Sequence, residues 1–113
     1  MIDLSNLAEA TEQEVFDQVK NHLLTQGVKC ESDDTCLYRG ENNLKCAAGC
    51  LIADHQYMPE MEENNWETLV EKGIVPSAHS DLIEALQKVH DTCTVGTWSN
   101  YLWEVAREFN LQY

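Results

Sequence analysis

The first third of the chain contains a helix whose start, buried face and end can all be read from its residues. Thr11 and Glu14 have the spacing of a capping box, in which each side chain accepts a hydrogen bond from the other residue's backbone amide. Gly27 stands where a left-handed residue closes a helix. The apolar residues at helical spacing between these signals are Val15, Phe16, Val19, Leu23 and Leu24. The pattern predicts an amphipathic helix over residues 12–26.

The second half of the chain contains three more segments that are predicted to be helices from signals of the same kind. Asn65 is a cap for a short helix that Gly73 ends, Ser77 or Asp81 caps a longer one, and Thr97 opens the last. The apolar stripe of the longer helix comprises Ala78, Leu82, Ala85, Leu86 and Val89. The stripe of the last helix comprises Trp98, Tyr101, Leu102, Val105, Ala106 and Phe109. Each stripe is wide enough to pack against a neighbouring helix.

Residues 36–54, with the sequence CLYRGENNLKCAAGCLIAD, differ from these segments. Gly40 and the asparagines that follow it favour a turn, so residues 36–46 are predicted to form a small β-hairpin. The periodicity becomes helical from Cys46 onward. Gly49 lies inside that helical stretch, where a glycine often marks the close approach of another backbone or of a ligand.

These patterns predict one mainly α domain over residues 1–113. It would contain four to six short helices and one small β-hairpin around residues 36–46. The length suits a single core, and a hydrophobic content of 43% is typical of a globular chain.

The segments CLYRG and KCAAGCLIAD, at residues 36–40 and 45–54, resemble a signature of small, uncharacterised proteins of bacteriophage and bacterial genomes. In those proteins a Cys-x-Tyr-Arg-Gly segment precedes a Lys-Cys-Ala-x-Gly-x-Leu-Ile segment. The resemblance covers about twenty residues. It implies a phage or prokaryotic source, and it implies no particular activity.

The sequence favours a cytoplasmic protein. No apolar run approaches the length of a membrane span, and the first residues lack the basic and apolar blocks of a secretion signal. Five cysteines, an odd number, favour reduced thiols over a disulfide framework. If the source is a phage, the compartment is the host cytoplasm.

Charge is the strongest global indication of function. Twenty Asp and Glu residues against seven Lys and Arg give a formal net charge of −13, which disfavours direct contact with nucleic acid phosphates. The sequence predicts a binding protein whose partner is a host protein with a basic surface, for example a defence or nucleic-acid-acting protein. The predicted contact residues are Glu60, Glu62, Glu63 and Trp103. The same charge is also consistent with solubility alone.

An alternative hypothesis is a phosphorylated small-molecule or nucleotide site formed by Tyr38, Arg39 and Lys45. Arginine can bind a phosphate through two hydrogen bonds, and tyrosine can stack on a ring. The competing interpretation is that the two cations pair with local carboxylates. The candidates for that pairing are Asp33, Asp34 and Asp54.

A third hypothesis is a zinc-stabilised structural module that uses Cys30, Cys36, Cys46 and Cys50. Structural zinc ligands usually come in closely spaced pairs, and only Cys46 and Cys50 have that spacing. The prediction is therefore a protein without metal or cofactor. No cysteine-hydrolase motif and no Cys-x-x-Cys redox motif is present, so the sequence favours a binding protein over an enzyme.

Overall fold

The computed structural model describes residues 1–33 and 35–113, so any ion pair of Asp34 lies outside the described residues. Over that part of the chain the protein is mainly helical with one small antiparallel hairpin, which confirms the predicted fold class. The α-helices are α1 (Glu12–Gln26), α2 (Trp66–Glu71), α3 (Ser80–Thr92) and α4 (Trp98–Glu108). Short 3₁₀ segments lie at Leu7–Glu9, Glu41–Asn43, Ala48–Leu51, Pro59–Met61 and Val95–Thr97.

The capping box forms at the start of α1. The Glu14 amide donates to the Thr11 hydroxyl over 3.1 Å, and the Thr11 amide donates to the Glu14 carboxylate over 2.8 Å. Gly27, at φ 68°, ends the helix and donates to the Leu23 carbonyl. Leu24 was predicted on the buried face but is 44% exposed, because it lies at the edge of the apolar stripe.

The hairpin lies earlier in the chain than the sequence predicted. Strands β1 (Glu31–Ser32) and β2 (Thr35–Cys36) pair antiparallel, with Glu31 opposite Cys36. The predicted hairpin over residues 36–46 is reduced to one isolated bridge between Arg39 and Lys45.

The reason for this difference is that a side chain, rather than a second strand, accepts the hydrogen bonds of the backbone amides in this segment. The amides of Tyr38 and Arg39 both donate to the Glu62 carboxylate, over 3.0 and 3.2 Å. A carboxylate that accepts both amides satisfies these buried donors without a strand partner.

The segment after Cys46 forms a 3₁₀ turn at Ala48–Leu51 rather than an α-helix. Gly49 lies within this turn, and the expected close approach of another backbone is observed there. A Cβ at Gly49 would lie 2.2 Å from the Tyr38 carbonyl oxygen, so only glycine fits against that backbone.

Two further predictions are corrected. The residue that precedes α3 is His79, at φ 59°, and neither Ser77 nor Asp81 caps the helix. Tyr101 was predicted on the buried stripe of α4, but it is 45% exposed because it lies at the margin of a face centred on Leu102.

Helix α3 lies at the centre of the fold. It packs against α1, α2, α4 and the 3₁₀ turn at Ala48–Leu51. The core around it contains two tryptophans, Trp66 and Trp98, of which Trp98 lies on the predicted apolar stripe of α4. Among the helices of the described residues, none has both the length and the apolar character that a membrane crossing requires.

Candidate functional site

A cavity of 360 Å³ lies between α3 and the segment that leads into α2. Four carboxylates line it, and we call it the carboxylate pocket: Glu62, Glu63, Glu84 and Asp91. Lys88 is the one Lys or Arg among the residues that line it. The side chains of Trp66 and Leu37 form an apolar part of the wall of this pocket. The pocket therefore combines an excess of negative charge with an apolar surface.

Glu62 is held in place by three hydrogen bonds. In addition to the two backbone amides of Tyr38 and Arg39, its carboxylate accepts from the Tyr57 hydroxyl over 2.7 Å. The sequence predicted Glu60, Glu62 and Glu63 as surface contacts for a partner. Glu60 and Glu63 are exposed, but Glu62 is half-buried and its carboxylate is engaged within the protein.

Glu63 and Glu84 are the carboxylates of the pocket whose side chains form no hydrogen bond or ion pair with the described residues. Burial raises the pKa of the Glu84 carboxyl, and the nearby charges of Glu67 and Asp81 raise it further. Each of these effects disfavours the ionised form. A cation placed in the pocket would relieve this unfavourable charge.

Asp91 is the acceptor at the centre of a second group of side chains. His90 Nδ1 donates to Asp91 Oδ1 over 2.7 Å, and Gln87 donates to the same oxygen over 2.6 Å. The Cys36 sulfur lies within 4.8 Å of this carboxylate. Burial alone would raise the pKa of Asp91, but these hydrogen bonds and the His90 ring outweigh it and lower that pKa. Asp91 therefore remains charged near neutral pH.

In the described part of the chain, one group of three side chains that could ligate a metal has its ligand atoms within 4.8 Å of one another. It consists of Cys36, His90 and Asp91. The Cys30 backbone amide donates to His90 Nε2 over 3.0 Å, so Nε2 carries no proton and Nδ1 carries it. A metal at Nδ1 would displace that proton while Nε2 must stay unprotonated. The ring would then be an imidazolate, so the geometry suits a structural hydrogen-bond chain better than a metal site.

The four cysteines of the zinc hypothesis do not form such a group. Within residues 1–33 and 35–113, no three of Cys30, Cys36, Cys46 and Cys50 lie within 4.8 Å of one another. The pKa of the Cys30 thiol is raised to about 11, and the pKa values of the Cys36 and Cys50 thiols are raised to about 12. Burial is the main cause in each case. The Cys46 pKa is also raised by burial. These groups are neutral thiols near pH 7, which does not suit nucleophilic catalysis.

Arg39 is engaged within the protein. Its guanidinium forms an ion pair with Asp54 and donates to the Ile52 carbonyl. It also lies over the Tyr57 ring, 5.4 Å from the centroid. The Asp54 carboxylate is 88% exposed, whereas the Arg39 side chain is 18% exposed. Asp54 is thus one of the local carboxylates that the sequence offered as a partner for this arginine.

Replacing Arg39 by alanine is expected to lower the free energy of unfolding by about 1–2 kcal/mol, because it removes the hydrogen bond to Ile52 and the packing on Tyr57. Asp54→Asn, the matched variant, is expected to have a much smaller effect, because the ion pair that it removes is exposed on the Asp54 side and Arg39 keeps its hydrogen bond to Ile52 and its packing on Tyr57. Urea denaturation of both variants measures this difference. Equal losses for the two variants would contradict this account.

Tyr38, Arg39 and Lys45 do not line one pocket. Tyr38 is buried, its hydroxyl donates to the Asn64 carbonyl over 2.6 Å, and it lines the carboxylate pocket. Lys45 lines a different cavity beside α1. In the described part of the chain, Tyr38 and Lys45 therefore line two different cavities rather than one shared site.

Trp103 lies on the outer face of α4 and is 48% exposed, with the Arg107 guanidinium 4.9 Å from the centre of its ring system. It does not line the carboxylate pocket. Of the residues predicted for partner contact, Glu62 and Glu63 line this pocket, and Glu60 is exposed nearby in sequence. Sequence reasoning missed Glu84 and Asp91, which α3 brings to the same cavity.

No protein-family model, curated protein or solved structure that was compared with this chain matches it.

Proposed function

We propose that this protein binds a partner protein with a basic surface and accepts a Lys or Arg side chain of that partner in the carboxylate pocket. The observation that carries the proposal is the composition of the pocket, in which four carboxylates face one lysine. Glu62 and Asp91 are held by internal hydrogen bonds and supply a fixed negative field. Glu63 and Glu84 are available to bind the incoming cation.

The charge of the whole chain supports the same kind of partner. A net charge of −13 attracts a basic surface over a distance and raises the rate of association, and the effect declines as salt is added. The Trp66 and Leu37 wall gives the pocket an apolar contact for the methylene groups of a Lys or Arg side chain. Charge thus recruits the partner, and the pocket selects the side chain.

The resemblance to small phage and bacterial proteins suggests the identity of the partner class. A phage protein of this kind would act in the host cytoplasm, and its partner would be a host protein that uses a basic surface, such as a defence or nucleic-acid-acting protein. Occupation of that surface by carboxylates would exclude its normal phosphate-bearing ligand. The proposed activity is therefore inhibition by binding, without catalysis.

The test uses an arginine-rich peptide as the probe, with affinity measured by calorimetry at low and physiological salt. Glu63→Gln combined with Glu84→Gln is expected to weaken binding about tenfold. The matched control is Glu104→Gln combined with Glu108→Gln, which removes the same charge from exposed positions on α4. The control is expected to change the affinity less than about twofold.

Equal weakening by the two double variants would show that bulk charge alone attracts the peptide, and the pocket proposal would then be wrong. Affinity that does not depend on salt would contradict the electrostatic mechanism. Capture of host proteins with the wild-type chain and with the Glu63 and Glu84 double variant then tests the partner class.

A further inference from the structure

A second cavity, of 680 Å³, lies between the C-terminal half of α1 and residues 42–45. No Asp or Glu among residues 1–33 and 35–113 lines it, although the chain contains twenty acidic residues. The carboxylate pocket, by contrast, has four. We call this second cavity the amide cavity, after the asparagine and glutamine side chains that line it. Its volume lies within the range of small-molecule sites, about 300–1,000 Å³.

Lys45 supplies the cation of the amide cavity, and α1 holds its backbone. The Gln26 side chain donates to the Lys45 carbonyl over 2.9 Å and accepts from the Lys45 amide over 3.0 Å. His22 Nε2 lies 2.9 Å from the same carbonyl and donates to it. These three contacts fix the backbone from which the ammonium group projects.

The Lys45 ammonium has no carboxylate or hydrogen-bond partner among residues 1–33 and 35–113. The charge of Lys45 contributes to the lowered pKa of Asp54, but the hydrogen bond and charge of Arg39 are the larger causes. Asp54 pairs directly with Arg39 and interacts with Lys45 only at longer range, through its charge. A free ammonium beside a cavity without carboxylates is a site for an anion.

Uncommitted polar side chains surround this cation. Asn21, Thr25, Asn42 and Asn43 are exposed, line the cavity, and form no side-chain hydrogen bond with the described residues. Their amides and hydroxyl can both donate and accept. Groups of this kind suit the hydroxyls of a sugar, whereas a bare inorganic anion would leave most of their acceptors unused.

We infer that the amide cavity binds a sugar phosphate, or another phosphate monoester that carries several hydroxyl groups. Lys45 binds the phosphate group, and the asparagines and Thr25 bind the hydroxyls. The negative charge of the rest of the chain opposes this binding only weakly, because salt at about 0.1 M screens exposed charges beyond roughly 10 Å. This site is independent of the carboxylate pocket and of the partner proposed for it.

The test titrates the isotopically labelled chain with ribose 5-phosphate, ribose and inorganic phosphate while amide chemical shifts are followed by NMR. Ribose 5-phosphate is expected to shift the amides of residues 21–26 and 42–45, and ribose is expected to bind at least about tenfold more weakly. Lys45→Gln is expected to weaken the binding of ribose 5-phosphate about tenfold or more.

Two variants separate the site from general effects of charge and folding. Lys72→Gln removes an exposed cation just after α2, outside the amide cavity, and is expected to leave the affinity unchanged. Asn43→Gly keeps the positive φ of 61° at that position while it removes the amide, so it is expected to weaken binding without lowering thermal stability.

Three results would overturn the inference. One is the absence of shifts at ribose 5-phosphate concentrations up to about 10 mM, far above the Kd of a specific site. Another is equal binding of ribose and ribose 5-phosphate. The third is equal affinity of the wild-type chain and the Lys45→Gln variant.

Discussion

Replacement of Gly49 by alanine is expected to lower the free energy of unfolding by more than about 3 kcal/mol. The new Cβ would lie 2.2 Å from the Tyr38 carbonyl oxygen and 3.1 Å from the carbonyl carbon. Both atoms belong to the backbone, so no side chain can rotate away to make room. Retreat of the Tyr38 backbone would strain the hydrogen bonds that its amide and the next one donate to Glu62.

Gly96→Ala is the matched control for this variant. A Cβ at Gly96 would meet no atom within 4 Å, so its stability is expected to stay within about 0.5 kcal/mol of the wild type. Urea denaturation followed by circular dichroism measures both. A Gly49→Ala variant that is insoluble while Gly96→Ala is soluble would be the extreme form of the expected result. A loss below about 1 kcal/mol for Gly49→Ala would contradict the observed close approach.

The second large effect is expected at His90, the fully buried polar side chain of α3. His90→Phe keeps an aromatic ring stacked on Trp98, where the ring centroids are 5.6 Å apart. It removes the acceptor for the Cys30 amide and the donor for Asp91. The expected loss in the free energy of unfolding is about 2–4 kcal/mol, because a buried donor and a charged acceptor each lose a partner.

Hydrogen exchange gives a readout that packing alone would not change. The Cys30 amide is expected to exchange more rapidly in His90→Phe than in the wild type, relative to other amides of similar burial. His55→Phe, at an exposed histidine, is the control and is expected to change stability by less than about 0.5 kcal/mol. Unchanged stability of His90→Phe would mean that this hydrogen-bond chain is not needed for folding.

These two variants also bear on the carboxylate pocket. Because Gly49 has no side chain, the Tyr38 backbone can lie where its amide donates a hydrogen bond to Glu62. The His90 ring donates a hydrogen bond to Asp91. Two of the four pocket carboxylates are therefore positioned by groups deep in the fold. The other two, Glu63 and Glu84, can be changed without disturbing those contacts, which makes them the suitable residues for testing partner binding.

The sequence by itself determined where α1 and α2 begin, because the signals that start a helix act over a few residues. The capping box of Thr11, the Asn65 cap and the positive φ of Gly27 and Gly73 all involve neighbouring backbone atoms. The burial of Trp98 also followed from its place on the apolar stripe of the last helix. The need for a glycine at position 49 was visible as well, although its neighbour was not.

Only the tertiary structure decided how the charged and polar side chains are used. Glu60, Glu62 and Glu63 stand together in an acidic run, yet Glu62 alone turns inward, because the unpaired amides of residues 38 and 39 come within its reach. Lys45 and Arg39 are bridge partners, yet Arg39 is paired with Asp54 while the Lys45 ammonium has no ion-pair partner in the described part of the chain. These outcomes depend on which donors and acceptors remain unsatisfied after the helices pack, and that information lies in contacts between residues far apart in the chain.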